Sequence, residues 1–219
     1  MAKLAASILS ADFSRLGDEV SAVEPYADWI HVDVMDAHFV PPLSIGPVVV
    51  ASLRPVTKLP LHCHLMVEHP EGLFVDLADA GTDMVTSHVE ALDDPRRVVE
   101  VAGRHGMRAG LAVNPSTPVD VLFPHLDELA DAIVMSVHPG WAGQEFLEEA
   151  LPKVEALRKE IDRRGLTVDV EVDGGINEQT APRCVSAGAT ILAAASSIFK
   201  AENPAESARR LSEIAHSPS

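Results

Sequence analysis

Eight short apolar or β-branched runs recur along this chain at nearly even intervals, and that rhythm leaves few folds open. They cover residues 4–9, 29–34, 59–65, 84–89, 107–113, 132–137, 167–172 and 190–194. Continuous apolar character, rather than strict alternation with polar residues, is what a strand covered on both faces requires. Between the runs lie amphipathic stretches with helical spacing, such as 16–23, 72–80, 95–104, 148–164, 178–187 and 205–215. Gly81, Gly106, Gly165 and Gly188 punctuate the joins. Strand–helix alternation repeated eight times in 219 residues predicts an α/β fold, a (β/α)8 TIM barrel forming a single domain over 1–219. An open doubly wound sheet is the alternative that the same units could build. No linker, low-complexity segment or fixed-period repeat interrupts the pattern, and no run reads as disordered before the last few residues.

Hydrophobic residues make up 47% of the chain, enough for a sizeable core. The apolar stretches all break within a dozen residues or so, well short of the roughly 20 that a membrane-spanning helix needs. Met1, Ala2, Lys3 and Leu4 lead straight into the first run and leave no room for a signal peptide. Cys63 and Cys184 are too few for a disulfide framework. Together these features predict a reduced, cytoplasmic protein. A formal net charge of −16 argues against nucleic acid and anionic membranes as partners. An anionic small molecule would therefore have to find positive potential locally, in a metal, in backbone N–H groups or at a helix N-terminus.

In a barrel of this kind the working residues stand at the C-terminal ends of the strands and in the loops that follow. The unusual residues concentrate in three such connections, 36–46, 138–146 and 173–177. The first is long and rich in Pro, a candidate lid. Alternate residues of a strand share a face, so His31, Asp33 and Met35 point one way and Ile30, Val32 and Val34 the other. If the aliphatic set meets the helices, the histidine and the aspartate enter the barrel, where an unpartnered polar group is costly. The third strand repeats the pattern, with His62, His64 and Met66 alternating with Leu61, Cys63 and Leu65. The seventh ends at Asp173. Two histidines and two carboxylates on three strands make a plausible metal cage. Met35, Met66 and Met135 could form a soft, water-poor floor beneath a ligand, although core filling is the ordinary use of methionine. Asp173-Gly174-Gly175 and the stretch of small residues running through Ala195 and Ser196 supply two tight turns after the last two strands, a recurrent seat for phosphate in barrels.

Taken in order, Ser7-Ile8-Leu9-Ser10-Ala11-Asp12-Phe13, His31-Val32-Asp33-Val34-Met35-Asp36, Cys63-His64-Leu65-Met66-Val67, Met135-Ser136-Val137, Pro139-Gly140, Gly143-Gln144 and Val172-Asp173-Gly174-Gly175-Ile176 closely resemble the motifs of the ribulose-phosphate 3-epimerase family. The resemblance spans the whole chain. It implies a divalent metal held by His31, Asp33, His64 and Asp173, with Asp33 and Asp173 as the catalytic acid–base pair. It implies that Ser7 and His64 meet the substrate, and that phosphate meets backbone around Gly140, Trp141, Ala142, Gly143, Gly174, Gly175, Ala195 and Ser196. A homo-oligomer is implied on the same footing. The expected reaction is inversion of carbon 3 of a ketose phosphate, D-ribulose 5-phosphate to D-xylulose 5-phosphate, through an enediolate. A mixed N/O cage accepts zinc, iron(II), manganese or cobalt. The chain departs from the family pattern at Ala37, Pro42, His62, His138, Trp141, Ala142 and Ala195, positions expected to line the substrate. A paralogous epimerase for another ketose phosphate, such as a hexulose 6-phosphate, is the alternative. A metal-binding protein without turnover would have no use for both aspartates. A barrel lyase or decarboxylase would want a catalytic Lys, which no strand end offers.

Overall fold

The computed structural model describes residues 1–217. Eight parallel strands close into one barrel: β1 (Lys3–Ser7), β2 (Trp29–Met35), β3 (Leu61–Met66), β4 (Met84–His88), β5 (Arg108–Val113), β6 (Asp131–Met135), β7 (Asp169–Asp173) and β8 (Ile191–Ala194). Each lies within or beside its sequence-based expectation. Closure is explicit in the pairing of β1 with β8, where Lys3 faces Ile191 and Ala6 faces Ala194. That contact removes the open-sheet alternative.

The helices form the outer layer: α1 (Leu16–Val23), α2 (Pro47–Leu53), α3 (Phe74–Asp79), α4 (Pro95–Arg104), α5 (Ala150–Arg164), α6 (Ala181–Ala187), α7 (Ser196–Phe199) and α8 (Pro204–His216). α4 illustrates the local code. Asp94 accepts from the Arg96 N–H as N-cap, and Pro95 occupies the first turn, where its missing N–H costs nothing. α5 ends at Gly165, which takes a left-handed conformation (φ 67°). The sequence reading did not include α2, whose Val-rich run looks strand-like. Nor did it include the 3-10 stretch Val119–Glu128 after β5, which carries Pro124 inside it. The helical stretch expected at 205–215 is α8 (Pro204–His216), and residues 218–219, among the last few expected to be disordered, lie outside the described chain.

The strand faces divide as alternation predicts. Ile30, Val32, Val34, Leu61, Cys63 and Leu65 join the core between barrel and helices. His31, Asp33, His62 and His64 point inward, and the β2–β3 register sets His31 beside His62, Asp33 beside His64 and Met35 beside Met66. Cys63 and Cys184 are free and buried, with burial pushing both thiols up to about 12. Among the described residues no helix is long and apolar enough to cross a membrane.

Candidate active site

Four inward side chains from three strands converge at the mouth. His31 Nε2 lies 3.4 Å from Asp33 Oδ1 and 3.9 Å from Asp173 Oδ2. His64 Nδ1 lies 3.4 Å from Asp33 Oδ1 and 3.2 Å from Asp173 Oδ2. One donor atom from each residue falls within 4.8 Å of the others. A tetrahedral ion with bonds of about 2.0–2.2 Å sets its ligands roughly 3.4 Å apart, so the spacing matches. Both histidines are fully buried, and the nitrogens they turn inward, His31 Nε2 and His64 Nδ1, have no hydrogen-bond partner. Buried nitrogens aimed at a common point without a hydrogen-bond partner are what a cation would satisfy. By donor type, number and spacing, the four residues fit a divalent metal.

The histidines and carboxylates of the cluster shift one another's titration. Burial alone would lower the pKa of His31, but the carboxylates of Asp33 and Glu171 hold it well above the ordinary histidine value. Burial likewise opposes the charge on His64, and Asp173 and Asp33 raise it. Burial would raise Asp33, yet His31 and His64 beside it keep its carboxyl far below the usual range. Ser7 donates its hydroxyl proton to Asp33 Oδ2 at 2.6 Å, leaving Oδ1 to face the histidines.

Beneath this group lies a polar layer that strand alternation could have revealed. Glu171, two residues before Asp173 on the same inward face, approaches His31 Nδ1 at 2.9 Å and His62 Nδ1 at 3.2 Å. His62 Nε2 is 2.8 Å from Thr86 Oγ1, and Thr86 donates to Asp131 at 3.3 Å. At the end of β4, His88 Nε2 sits 2.8 Å from His64 Nε2, and its Nδ1 is 3.2 Å from Glu90. Glu171, His88 and Glu90 went unread in the sequence. The inward period of β7 and the terminal position of His88 on β4 were the available signals.

Above the four residues opens a cleft lined by Ser7, Asp33, Asp173, the methionines Met35, Met66 and Met135, and the turns at Gly140–Gln144, Gly174–Gly175 and Ala195–Ser196. Every residue expected to meet the substrate is brought to it except His64, which stays fully buried beneath the cleft. Gly174 (φ 116°) and Gly175 (φ 62°) occupy left-handed backbone, and a Cβ on Gly175 would come within 2.8 Å of the Phe146 backbone. The loop expected to act as a lid is tied down. Asp36 and Leu43 form a bridge, Ser44 Oγ donates to the Asp33 carbonyl at 2.6 Å, and Val40 packs with Met35 and Met66.

Residues 3–199 match the model of the ribulose-phosphate 3 epimerase family. The chain belongs to that family. It is 48% identical to the ribulose-phosphate 3-epimerase of Synechocystis over 93% of this chain and 90% of that one. The Bacillus subtilis enzyme of the same name is 44% identical, with 91% and 93% covered, and the Mycobacterium tuberculosis enzyme 47%, with 92% and 88%. Likeness to solved structures is one of fold alone. A 3-hexulose-6-phosphate synthase superposes with a TM-score of 0.72 at 19% identity, covering 97% and 99% of the two chains. The orotidine 5'-phosphate decarboxylase of Pyrococcus horikoshii superposes with 0.69 at 16%, covering 98% and 100%.

The departures from the family pattern do not all lie where the sequence placed them. Pro42, Trp141, Ala142 and Ala195 line the cleft or its apolar extension. Ala37 and His138 face solvent away from it, and His62 is buried beneath, against Glu171. Ala37 alone among described non-glycine residues takes a positive φ, 60°. Lys3 is the one lysine on a strand, and it stands at the end opposite the site, paired with Asp169.

Proposed function

We propose that this chain inverts carbon 3 of a ketose phosphate, D-ribulose 5-phosphate to D-xylulose 5-phosphate, with Asp33 and Asp173 as the paired acid and base. The observation that carries the reading is the meeting of two carboxylates, delivered from β2 and β7, at the floor of a cleft that ends in small-residue turns. The name its relatives share, ribulose-phosphate 3-epimerase, supports the substrate class. His31, Asp33, His64 and Asp173 are the residues to hold a divalent metal, zinc, iron(II), manganese or cobalt. When bound, such an ion stabilises by several kcal/mol the negative charge that develops on the substrate's oxygens.

The chain's own residues do the rest. Asp33, ionised and oriented by Ser7, takes the carbon 3 proton from one face, and Asp173 returns a proton to the other. Proton transfer of this kind contributes about 10²–10⁴-fold. Met35, Met66 and Met135 keep water away from the carbanionic intermediate with soft apolar surface. Gly143, Gly174, Gly175, Ala195 and Ser196 offer backbone to the phosphate, where any side chain longer than these would intrude. This answers the problem of binding an anion on a chain of net charge −16.

The test is a coupled assay on a panel of pentulose and hexulose phosphates, using chelated protein and protein reloaded with each metal. Ribulose 5-phosphate should be the best substrate, and chelation should abolish turnover while leaving the circular dichroism spectrum intact. Preference for a hexulose phosphate would reassign the sugar. Full activity in metal-free protein would sink the metal reading.

A further inference from the structure

The two cage histidines present different nitrogens to the same point. His31 turns Nε2 inward and His64 turns Nδ1 inward. Each therefore needs the proton on its other nitrogen, and the two needs are opposite. A neutral imidazole carries its proton on one nitrogen or the other according to the partner that the second nitrogen finds. The interior provides a separate partner for each ring. Behind His31, Glu171 lies 2.9 Å from Nδ1, at ion-pair distance but not in hydrogen-bond alignment, and is itself approached by His62 Nδ1 at 3.2 Å. Behind His64, His88 lies 2.8 Å from Nε2, and Glu90 takes up the far nitrogen of His88 at 3.2 Å. Glu90 is fixed in turn by the Asn114 N–H, at 2.7 Å, and by Thr117. Glu171 and His88 are wholly buried, so neither has water as a substitute partner.

We infer that Glu171 and His88 are positioning residues that lock the two cage histidines in opposite tautomers, and that Glu90 holds His88 in its role. This rests on the proposed metal site and extends it to residues that touch neither metal nor substrate. An acceptor on the proton-bearing nitrogen fixes the ring's orientation and makes the other nitrogen a better ligand. Loss of such a partner typically weakens metal binding 10–100-fold. For His88 the required bonding is self-consistent. His64 Nε2–H donates to His88 Nε2, and His88 Nδ1–H donates to Glu90. With Nδ1 turned to Glu90, Nε2 is the nitrogen of His88 left to accept. One competing use of the same atoms is a second ion held by His31, His62 and Glu171. It would require His31 to surrender both nitrogens to metals.

The experiment measures zinc stoichiometry and affinity, by elemental analysis and chelator competition, for the wild-type chain and for His88→Leu, His88→Gln and Glu171→Gln. Nitrogen-15 spectra of the zinc-loaded wild type assign the bound nitrogen of each histidine. The expected result is one zinc per chain, bound through Nδ1 of His64 and Nε2 of His31. His88→Leu should weaken zinc 10–100-fold, and His88→Gln, whose carbonyl can still accept, should restore most of the loss. Glu171→Gln should weaken zinc by about tenfold. Metal-free melting curves separate a folding defect from a binding defect. Zinc binding by the wild type with unchanged affinity in His88→Leu and Glu171→Gln overturns the relay alone, as does a spectrum with the opposite nitrogens bound. Two zinc ions per chain also overturn it. A wild type that takes up no zinc fails the metal reading itself.

Discussion

Replacing either aspartate with asparagine removes a proton acceptor while keeping the shape of the side chain, and the two replacements should fail in different ways. Asp33 and Asp173 come from strands separated by β1 and β8 around the ring, and their oxygens lie within 4.8 Å of each other. On the proposed mechanism a planar intermediate between them presents one face to each. Asp33→Asn and Asp173→Asn should each lose about 10²–10⁴-fold in kcat, or roughly 3–5 kcal/mol, the worth of one positioned acid–base group. Asp33 is the more deeply set, with a side-chain exposure of 5% against 13% for Asp173, and it alone accepts from Ser7. The metal-free Asp33→Asn protein should therefore also melt at the lower temperature. In deuterated water each variant should still exchange the carbon 3 proton of one epimer by means of its remaining carboxylate, and the two variants should prefer opposite epimers. Proton NMR of each epimer follows the exchange, with metal content measured on the same samples. A metal-loaded variant that exchanged both epimers at equal rates would refute assignment of one aspartate to each face.

Among the described residues Lys200 is the one basic side chain on the rim of the cleft, and if backbone carries the phosphate as proposed, Lys200→Gln should raise KM less than tenfold with kcat unchanged; a thousandfold rise would show otherwise. Gly175→Ala should cost about 1–3 kcal/mol, since φ is 62° and the new methyl would press on the Phe146 backbone. For a domain of this size that lowers the melting temperature by about 2–12 °C, and an unchanged melt would contradict the packing described. Burial would raise the pKa of Glu90, but donors from His88, Thr117 and Asn114 draw it down to about 2. A depressed carboxyl stabilises the fold above its unfolded value of about 4.3 and loses that contribution as pH falls through about 2. The melting difference between wild type and Glu90→Gln should thus be largest near neutral pH and fade toward pH 2, and a constant difference would disprove the linkage.

The strands were legible because burial on both faces writes itself as unbroken apolar runs, and inward polar residues such as His31 and Asp33 stand out against them. α2 was not, because its Val-rich sequence fits a strand as well as a helix, and only docking on the barrel decides between them. The 3-10 stretch at Val119–Glu128 was hidden by Pro124, which looks like a breaker and is tolerated in the tighter winding. At the site, motif order brought out His31, Asp33, His64 and Asp173, which converge at the mouth. It could not bring out Glu171 or His88, whose roles depend on contacts between strands. His62 was noticed as a departure but assigned to the substrate, since sequence alone does not distinguish a residue at the mouth from one a layer below.

The seam between β1 and β8 bears on how the protein comes into being. Ala2 accepts its place only when its N–H reaches the Ala215 carbonyl, and Lys3 needs both Thr190 and Asp169. The first strand emerging from a ribosome must therefore wait for the last, an interval on the order of ten to forty seconds at ordinary translation rates. Throughout it, β1 and the strand most recently made each lack a neighbour and expose an unpaired edge and apolar surface to other nascent chains. Such a chain is a natural client for chaperones, and its yield in a cell should respond to their supply more sharply than its final stability would suggest.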